Sequence, residues 1–427
     1  MTFYQSLIPA LQAEGVEVRV IEGSAYHAAD DRSPRVRNGA SVETLELSRM
    51  RRWYAQLGQF AATPGLRSHL AAAWAMWEQA QFGEETDVVE ACDWGLLFLP
   101  MALDAKRPLV VQCHGSIGQI AHHDPIAAEE TQGILTLLLE RSVLAGVDTI
   151  QTPGCENAAY WRNETGRHVS MLRPAWIPPA VLSTQKPSDR GLVVGRVQRW
   201  KGPQVLCAAL DLLGDRAPKI DWVGRDTPWE SANGSTSAHL ATAYPSVWGK
   251  KIAPHAPRVA AEISRLQADA LFNLVPSTWD VFNFTAVEAM ASGRPAIIST
   301  GAGAHELIQD GENGYVFPAG SADGLASTIE RVLSASPAQL ADIGRAAQAT
   351  IRRELDPPTI AAQRVAAYRS TIDAFRTRRP SAKTTLDEMC RPKDLAAGDD
   401  NASFLNQVPL RTLMQHVGKR LGRKALG

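Results

Sequence analysis

The sequence predicts an α/β protein of two doubly wound domains. A chain of 427 residues is too long for one ordinary hydrophobic core, which favours two domains. In both halves, short apolar runs are followed by glycine or polar residues and then by helical segments. Runs such as residues 109–111 lack alternating polar positions, as is typical of parallel strands that helices cover on both faces.

The composition is that of an ordinary globular protein, with 45% hydrophobic and 21% charged residues and a net charge of −1. This balance argues against a general nucleic-acid partner. The five cysteines are odd in number and include no C-x-x-C pair, which indicates reduced thiols rather than disulfides or a metal site. No apolar run is long enough to cross a bilayer. We therefore expect a cytoplasmic protein.

The first half contains four predicted strands, at residues 16–22, 86–95, 107–118 and 147–154. An amphipathic helix precedes them and ends at Gly15, and Pro9 is expected to kink or shorten it. A doubly wound domain normally opens with a strand and a glycine-rich turn before its first helix. Neither is present here, so we expect the first strand to lie upstream of residue 1.

Basic and aromatic residues cluster between positions 32 and 54. They are Arg32, Arg35, Arg37, Arg49, Arg51, Arg52, Trp53 and Tyr54. One interpretation is a solvated basic helix. The other is an edge that faces a membrane, because arginine and aromatic side chains favour an anionic lipid surface.

His114 and Gly115 stand at the carboxyl end of the strand predicted at 107–118. Ligands of doubly wound domains bind where parallel strands end. A lone histidine is also often structural, so both interpretations stay open for His114.

The second half opens at Gly191 with a strand, then Gly195-Arg196, then Lys201-Gly202 and a helix from Pro203. A basic pair in a loop is often only a solvated surface. Between a buried strand and a helix N-terminus, however, Arg196 and Lys201 are suited to hold a diphosphate. The next strand, 219–224, ends at Gly224, which we expect near the nucleotide. Residues 226–246 are predicted to form a loop.

Residues 271–299 predict a strand, a loop, a short helix and a second strand, with Asp280 and Glu288 in the middle. Ligand groups belong on such a loop and on the helix N-terminus. Thr285-Ala-Val-Glu288 also matches a capping box, in which Glu288 would hydrogen-bond to the start of its own helix. The local pattern alone leaves both roles for Glu288 open.

The wider stretch resembles the signature of family-four retaining glycosyltransferases of the GT-B architecture. The residues that match it are Pro276, Ser277, Phe282, Glu288, Ala289, Met290, Ala291, Gly293 and Pro295. Arg196 and Lys201 match the G-R-x-x-x-x-K-G pattern of that family. Asp280 stands where the family usually has Glu, Asn283 where it has Gly, and Ala302 where it has the first Gly of a Gly-Gly-x-x-Glu loop.

The resemblance implies two Rossmann-like domains that face each other across a cleft, and it implies roles for individual residues. Arg196 and Lys201 would bind the leaving diphosphate, Asp280 a sugar hydroxyl and Glu288 the ribose hydroxyls. His114 would lie on the far side of the sugar. The remaining expected donor-binding residues are Gly195, Gly224, Phe282, Asn283 and Thr285. No metal site and no cofactor are expected, and the donor is a nucleoside diphosphate sugar.

Domain boundaries follow from the same comparison of patterns. Residues 1–180 are expected to bind the acceptor, 181–355 to bind the nucleotide sugar, and 356–375 to cross back to the first domain. A proline-containing run up to Pro187 is a plausible hinge. Residues 376–427 are predicted to form a linker and a terminal helix.

The terminal helix combines an apolar face with basic residues. The face is formed by Leu410, Leu413, Met414, Val417 and Leu421, and the basic residues are Lys419, Arg420, Arg423 and Lys424. The helix either docks on the protein surface or makes a reversible membrane contact.

The predicted function is retaining transfer of a hexose-type sugar from a nucleoside diphosphate to an acceptor hydroxyl. A glycan or lipid-linked precursor of a cell-surface polysaccharide is the kind of acceptor expected. The departures at Asp280, Asn283 and Ala302 support an alternative, a non-catalytic nucleotide-sugar-binding scaffold subunit.

Overall fold

The computed structural model describes residues 2–30, 35–124, 132–178, 187–229, 234–377, 390 and 410–425. They form two α/β units that are built on parallel sheets, as the sequence predicts. Each unit has its own hydrophobic core.

The strands of the N-terminal unit form two separate sheets. They are β1 (Arg19–Glu22), β2 (Arg35–Arg37), β3 (Ala40–Thr44), β4 (Val89–Cys92), β5 (Leu109–Gln112), β6 (Thr149–Thr152) and β7 (Val169–Met171). Strands β4-β5-β6-β7 make a parallel sheet, whereas β1, β3 and β2 make a mixed sheet of their own. The first predicted strand is therefore shorter than expected and does not join the main sheet.

Seven helices surround these sheets among the described residues. They are α1 (Thr2–Ala13), α2 (Leu47–Gln56), α3 (Pro64–Gln79), α4 (Leu99–Asp104), α5 (Ile117–His123), α6 (Gly133–Leu144) and α7 (Cys155–Thr165).

The C-terminal unit is one parallel sheet of six strands in the order β10-β9-β8-β11-β12-β13. The strands are β8 (Arg190–Val194), β9 (Lys219–Val223), β10 (Ile252–His255), β11 (Asn273–Val275), β12 (Ala296–Ser299) and β13 (Tyr315–Phe317). The winding direction reverses between β8 and β11. Ligands of this fold class bind outside the carboxyl ends of the strands at such a reversal.

The remaining helices follow these strands. They are α8 (Pro203–Leu213), α9 (Thr236–Ala243), α10 (Ala260–Asp269), α11 (Phe284–Ala291), α12 (Ala322–Ser334), α13 (Pro337–Glu354), α14 (Pro357–Thr377) and α15 (Leu410–Ala425).

Helix α14 returns to the N-terminal unit and carries a buried ion pair there. Arg364 is fully buried and donates to Glu90 at 2.9 Å. Tyr4 and Tyr368 donate to the same carboxylate at 2.8 and 2.7 Å. Burial alone would raise the pKa of Glu90, but Arg364 and the two tyrosines hold that pKa below its ordinary value.

Two segments differ from the local predictions. Helix α1 does not end at Pro9, and the Gln5 carbonyl that Pro9 cannot bond accepts from Asn38 instead, at 3.1 Å. The segment 226–246 is not all loop, because Ser235 caps α9 by accepting from the backbone N–H of Ala238.

The arginine and aromatic cluster makes contacts within its own unit. Arg49 and Arg52 both pair with Glu78, and the Trp53 ring stacks on Trp74. The Trp53 indole donates to Glu78 at 2.6 Å. These contacts favour the packed surface helix over a membrane-facing edge. Arg32 lies outside the described residues.

Most of the predicted hinge (179–186) and most of the linker (378–389 and 391–409) also lie outside the described residues. Cys390 is buried in the N-terminal core, where its carbonyl accepts from the Trp74 indole at 3.4 Å. None of the five cysteines, all of which the structure describes, forms a disulfide bond. No helix of the described residues is both long and apolar enough to span a bilayer.

Candidate active site

The loops after β8 and β11 meet at the point where the sheet reverses direction. Gly202 follows Lys201 with φ +74°, and a Cβ there would lie 1.9 Å from the Pro276 carbonyl oxygen. Only glycine allows this approach, so Gly202 brings the Lys201 loop against the start of the Asp280 loop.

Lys201 and Asp280 form an ion pair across the crevice. The Lys201 ammonium contacts Oδ2 of Asp280, and the two side chains are only 19% and 17% exposed. The same oxygen accepts from the Asn283 amide at 2.9 Å. The Asp280 side chain, although shorter than that of glutamate, therefore reaches Lys201, one of the two predicted diphosphate-binding residues.

Asn283, rather than Thr285, caps helix α11, so the predicted capping box is wrong. The Asn283 Oδ1 accepts from the Ala286 N–H at 3.3 Å, and the residue has φ +74°. Asparagine tolerates positive φ and is among the strongest N-cap residues, whereas threonine is weaker in both respects. Thr285 is the second residue of the helix.

Glu288 is partly buried one turn further along α11. Desolvation raises the pKa of its carboxyl to about 7. The carboxyl is thus close to half-protonated at neutral pH, and a set of hydroxyl donors would favour its ionised form.

Arg196 lies at the mouth of the crevice, in the electrostatic field of Asp280 and Asp124. Partial burial and then the neighbouring Arg225 lower the pKa of Arg196, while the two carboxylates oppose that shift. Two guanidinium groups therefore lie close together at this edge of the crevice, and such groups bind phosphate oxygens well. Sequence analysis did not select Arg225, although it directly follows Gly224.

The other predicted donor-binding residues differ in their positions. Gly195 and Gly224 directly follow β8 and β9 and lie against each other, since a Cβ on Gly224 would be 1.9 Å from the Gly195 oxygen. The Phe282 side chain is only 3% exposed and packs in the core beneath Arg173.

His114 sits on a turn that two buried carboxyls hold. Asp93 accepts from the N–H groups of His114 and Gly115 at 2.9 and 3.2 Å. Glu140 accepts from the Ser116 hydroxyl at 2.6 Å and from the next turn of backbone. Burial raises the pKa of Asp93 to about 7 and that of Glu140 to about 8.

The His114 ring is enclosed by the start of α1. Its centroid lies 4.3 Å from that of Phe3 and 6.0 Å from that of Tyr4, and its Nε2 is buried without a hydrogen-bond partner. Burial lowers the pKa of His114 to about 4, so the ring is neutral near pH 7. Phe3 also makes an edge contact with Phe284 of α11, at 6.3 Å between centroids.

The two units meet around the Asp280 loop. A Cβ on Gly115 would lie 3.4 Å from Val281 and 3.6 Å from Trp279, the two neighbours of Asp280. Glu306 accepts from the backbone N–H of Cys155 at 2.7 Å, at the N-terminus of α7. The His114 turn and the Asp280 loop therefore face the same cleft.

A stack of three rings, which sequence analysis missed, also joins the units. The Trp279 ring stacks on His123 at 4.4 Å and on Trp200 at 5.2 Å. Trp200 and Trp279 directly precede Lys201 and Asp280, and this adjacency is the one signal that the sequence offered. A cavity of about 390 Å³ lies beside the stack. It is lined by His122, His123, Arg199, Trp200, Gln204, Val205 and Thr278.

Within the described residues, no three His, Cys, Asp or Glu side chains are grouped closely enough to hold a metal ion. Arg196, Lys201 and Arg225 supply positive charge beside Asp280.

Two family models match the two units. A "Glycosyl transferase 4-like domain" matches residues 2–168, and "Glycosyl transferases group 1" matches residues 188–335. The chain belongs to the family-four glycosyltransferases. Its predicted GT-B architecture, with two α/β units on parallel sheets, is confirmed by solved structures of the same fold.

Curated relatives of this glycosyltransferase match only part of it. A D-inositol 3-phosphate glycosyltransferase of Arthrobacter sp. (strain FB24) is 30% identical over 43% of each chain. An MMP alpha-(1->4)-mannosyltransferase of Mycolicibacterium hassiacum is 32% identical over 26% of this chain and 27% of that protein. The chain spans less than half the length of these two relatives.

Solved structures cover more of the glycosyltransferase. A sucrose-phosphate synthase from Thermosynechococcus elongatus superposes with a TM-score of 0.66 at 20% identity, covering 87% of this chain and 93% of that one. The Anabaena protein HepE, solved with UDP and glucose, has a TM-score of 0.59 at 19% identity over 78% and 87% of the two chains. At these identities the likeness establishes the fold alone.

Proposed function

We propose that this chain is a retaining glycosyltransferase that moves a hexose-type sugar from a nucleoside diphosphate to an acceptor hydroxyl. The observation that carries the proposal is the pair formed by Lys201 and Asp280 where the sheet reverses direction. A cation for the diphosphate and a carboxylate for the sugar are adjacent there, in a cleft that the His114 turn faces from the other unit.

The cations supply the main chemical requirement. As the bond between the sugar C1 and the phosphate oxygen breaks, negative charge grows on the departing phosphate and C1 becomes oxocarbenium-like. Arg196 and Lys201 donate to those phosphate oxygens and stabilise the charge, which is the role of preorganised donors in catalysis. We propose that these side chains act without a metal ion.

The carboxyls and the histidine position the donor. Asp280 accepts from a sugar hydroxyl, and Glu288 accepts from the ribose hydroxyls. His114, neutral near pH 7, offers its unpartnered Nε2 to a hydroxyl on the far side of the sugar. Phe3 and Tyr4 enclose that ring, so this step requires the start of α1 to shift.

Retention of configuration follows from the direction of attack. The acceptor oxygen bonds to C1 from the face that the diphosphate leaves, and the acceptor proton passes to the departing phosphate oxygen. HepE is described with UDP, glucose and UDP-glucose, which supports a uridine donor as the first to test. The acceptor that we propose is a glycan or lipid-linked precursor of a cell-surface polysaccharide.

The test is a donor screen. The chain is incubated with UDP-, GDP- and ADP-hexoses, with and without acceptors that include inositol phosphate, and released nucleoside diphosphate is measured. We expect one nucleotide class to be consumed and the anomeric configuration to be retained by NMR. Consumption that requires a divalent metal, or inversion at C1, would contradict the corresponding part of the proposal.

The second candidate is a scaffold subunit that binds nucleotide sugars without turnover. It is favoured by the observation that Phe3 and Tyr4 enclose the His114 ring. A thermal shift with UDP, GDP or ADP that is not accompanied by donor consumption would support it.

We further propose that helix α15 contacts an anionic membrane from the cytoplasmic side. Leu410, Met414, Val417 and Leu421 are each more than half exposed on one helical face, and the helix sequence contains no acidic residue. Such a helix suits the interface of an anionic bilayer. Flotation with vesicles containing phosphatidylglycerol, compared with neutral vesicles, tests this. Loss of flotation is expected for Met414→Glu with Val417→Glu, and equal binding to both vesicle types would contradict it.

A further inference from the structure

Asp280 and Asn283 are connected through a chain of contacts that starts in the protein interior. Ser277, which is 1% exposed, lies 3.3 Å from the Asn283 Nδ2. The same Nδ2 donates to Oδ2 of Asp280 at 2.9 Å, and Lys201 contacts that oxygen from the other side. The chain of contacts therefore runs from Ser277 through Asn283 and Asp280 to Lys201.

The Asn283 amide can adopt only one orientation here. Its Oδ1 accepts from the Ala286 N–H, so its Nδ2 must face Asp280 and Ser277, both of which offer acceptor oxygens. The helix cap and the contact with Asp280 are thus made by opposite ends of one planar group. Rotation of the amide would break both at once.

The two contacts to Asp280 are made to the same oxygen. Oδ2 receives both Lys201 and Asn283, while Oδ1 has no hydrogen-bond partner within the described part of the chain. A carboxylate that is held through one oxygen presents the other in a defined direction, and each carboxylate oxygen has lone pairs for further donors. The oxygen that remains available is therefore Oδ1.

We propose that Asn283 is a positioning residue that holds the short Asp280 side chain so that Oδ1 meets a hydroxyl of the donor sugar. This inference deepens the proposed function and rests on it. Asp280 is one methylene shorter than glutamate, and the Asn283 amide occupies space beside it that a glycine would leave open. Asp280 and Asn283 therefore form one functional unit.

Two variants of Asn283 distinguish the roles of the two ends of its amide. Asn283→Asp keeps an N-cap of equal quality but replaces the Nδ2 donor with a carboxylate oxygen beside Asp280. Asn283→Gly removes both contacts, suits the positive φ and weakens the cap only slightly. Asn313→Asp is the matched control, because Asn313 is likewise bonded through both ends of its amide, but to a different loop.

Turnover and binding are then measured with the hexose donor identified by the screen. We expect kcat to fall about 10- to 100-fold in Asn283→Gly and Asn283→Asp, as for loss of a hydrogen bond to a charged group. By calorimetry, affinity for the nucleotide sugar should fall, while affinity for the parent nucleoside diphosphate changes less than about twofold. Asn313→Asp should lower the melting temperature and leave kcat unchanged.

Recovery of turnover in a double variant distinguishes a positioning role of Asn283 from a purely structural one. Asp280→Glu alone should be impaired, because the longer side chain meets the Asn283 amide. Asp280→Glu combined with Asn283→Gly should be more active than either single variant. Near-normal kcat and sugar affinity in both Asn283 variants, or single effects that simply multiply in the double variant, would overturn the proposal.

A different set of results is expected if the proposed transferase function is wrong. If the wild-type chain consumes no hexose donor, the transferase is contradicted, and the coupling is read from thermal melting instead. Asp280→Ala should then lower the melting temperature by different amounts in the wild-type and Asn283→Gly backgrounds. Equal shifts in the two backgrounds would show that Asn283 does not hold Asp280.

Discussion

We expect replacement of Lys201 by alanine to impair turnover without unfolding the chain. The lysine contacts Asp280 with both side chains less than one-fifth exposed, so the pair is worth more than a surface ion pair. Asp280 keeps the Asn283 hydrogen bond in the variant and is not left without a donor. We therefore expect a loss of about 1–2 kcal/mol in the free energy of unfolding, which lies between the values for exposed and buried pairs.

The expected effect on turnover is larger. Loss of one donor to the developing phosphate charge typically costs about 10²–10³ in kcat, or about 2.7–4 kcal/mol. The loss of stability corresponds to a fall of about 2–8 °C in melting temperature, so the variant stays folded at 25 °C. The decrease in kcat can therefore be assigned to the site.

The assay measures release of the nucleoside diphosphate from the hexose donor, together with thermal melting of each variant. Lys250→Ala is the matched control, because Lys250 is an exposed lysine of the same unit. It should leave both readouts unchanged. Turnover by Lys201→Ala within about threefold of wild type would refute the role of Lys201 at the diphosphate.

Two further predictions concern buried charges. Nucleotide binding should favour ionised Glu288, whose free pKa is about 7, so calorimetry in buffers of different ionisation enthalpy should detect release of up to about half a proton at pH 7. Glu288→Gln should abolish that release, and an unchanged value would show that Glu288 does not face the nucleotide. Arg364→Met should lower the free energy of unfolding by about 3–5 kcal/mol in urea, because it leaves Glu90 buried without its cation. Adding Glu90→Gln should restore part of this loss, and a loss below about 1 kcal/mol would contradict the importance of the pair.

The candidate site was predictable where it depends on the order of strands. Arg196 and Lys201 follow one buried strand and Asp280 follows another, and such loops come together wherever the two strands lie on either side of a reversal. The pairing of Lys201 with Asp280 agrees with that expectation. The roles of His114 and Glu288 remain predictions, supported by burial and by the cleft that the His114 turn faces.

Local rules failed where a distant residue supplied the missing contact. Pro9 remains inside α1 because Asn38, 29 positions later, bonds the carbonyl that the proline releases. Asn283 caps α11 in place of Thr285, although the sequence pattern indicates Asn283 only as a substitute for glycine. Propensity and motif rules consider neighbours along the chain, so they do not detect such partners.

The sequence by itself determined the α/β class, the two units and the family, because strand ends, glycines and charged residues mark them along the chain. Only the tertiary structure decided that Asn283 joins the helix cap to Asp280, that Trp279 stacks between His123 and Trp200, and that Phe3 covers His114. Each of these contacts depends on the direction of a side chain and on the packing of elements that are far apart in sequence. The stretch around Asp280 can thus be recognised as a motif, but the geometry of its side chains is a property of the fold.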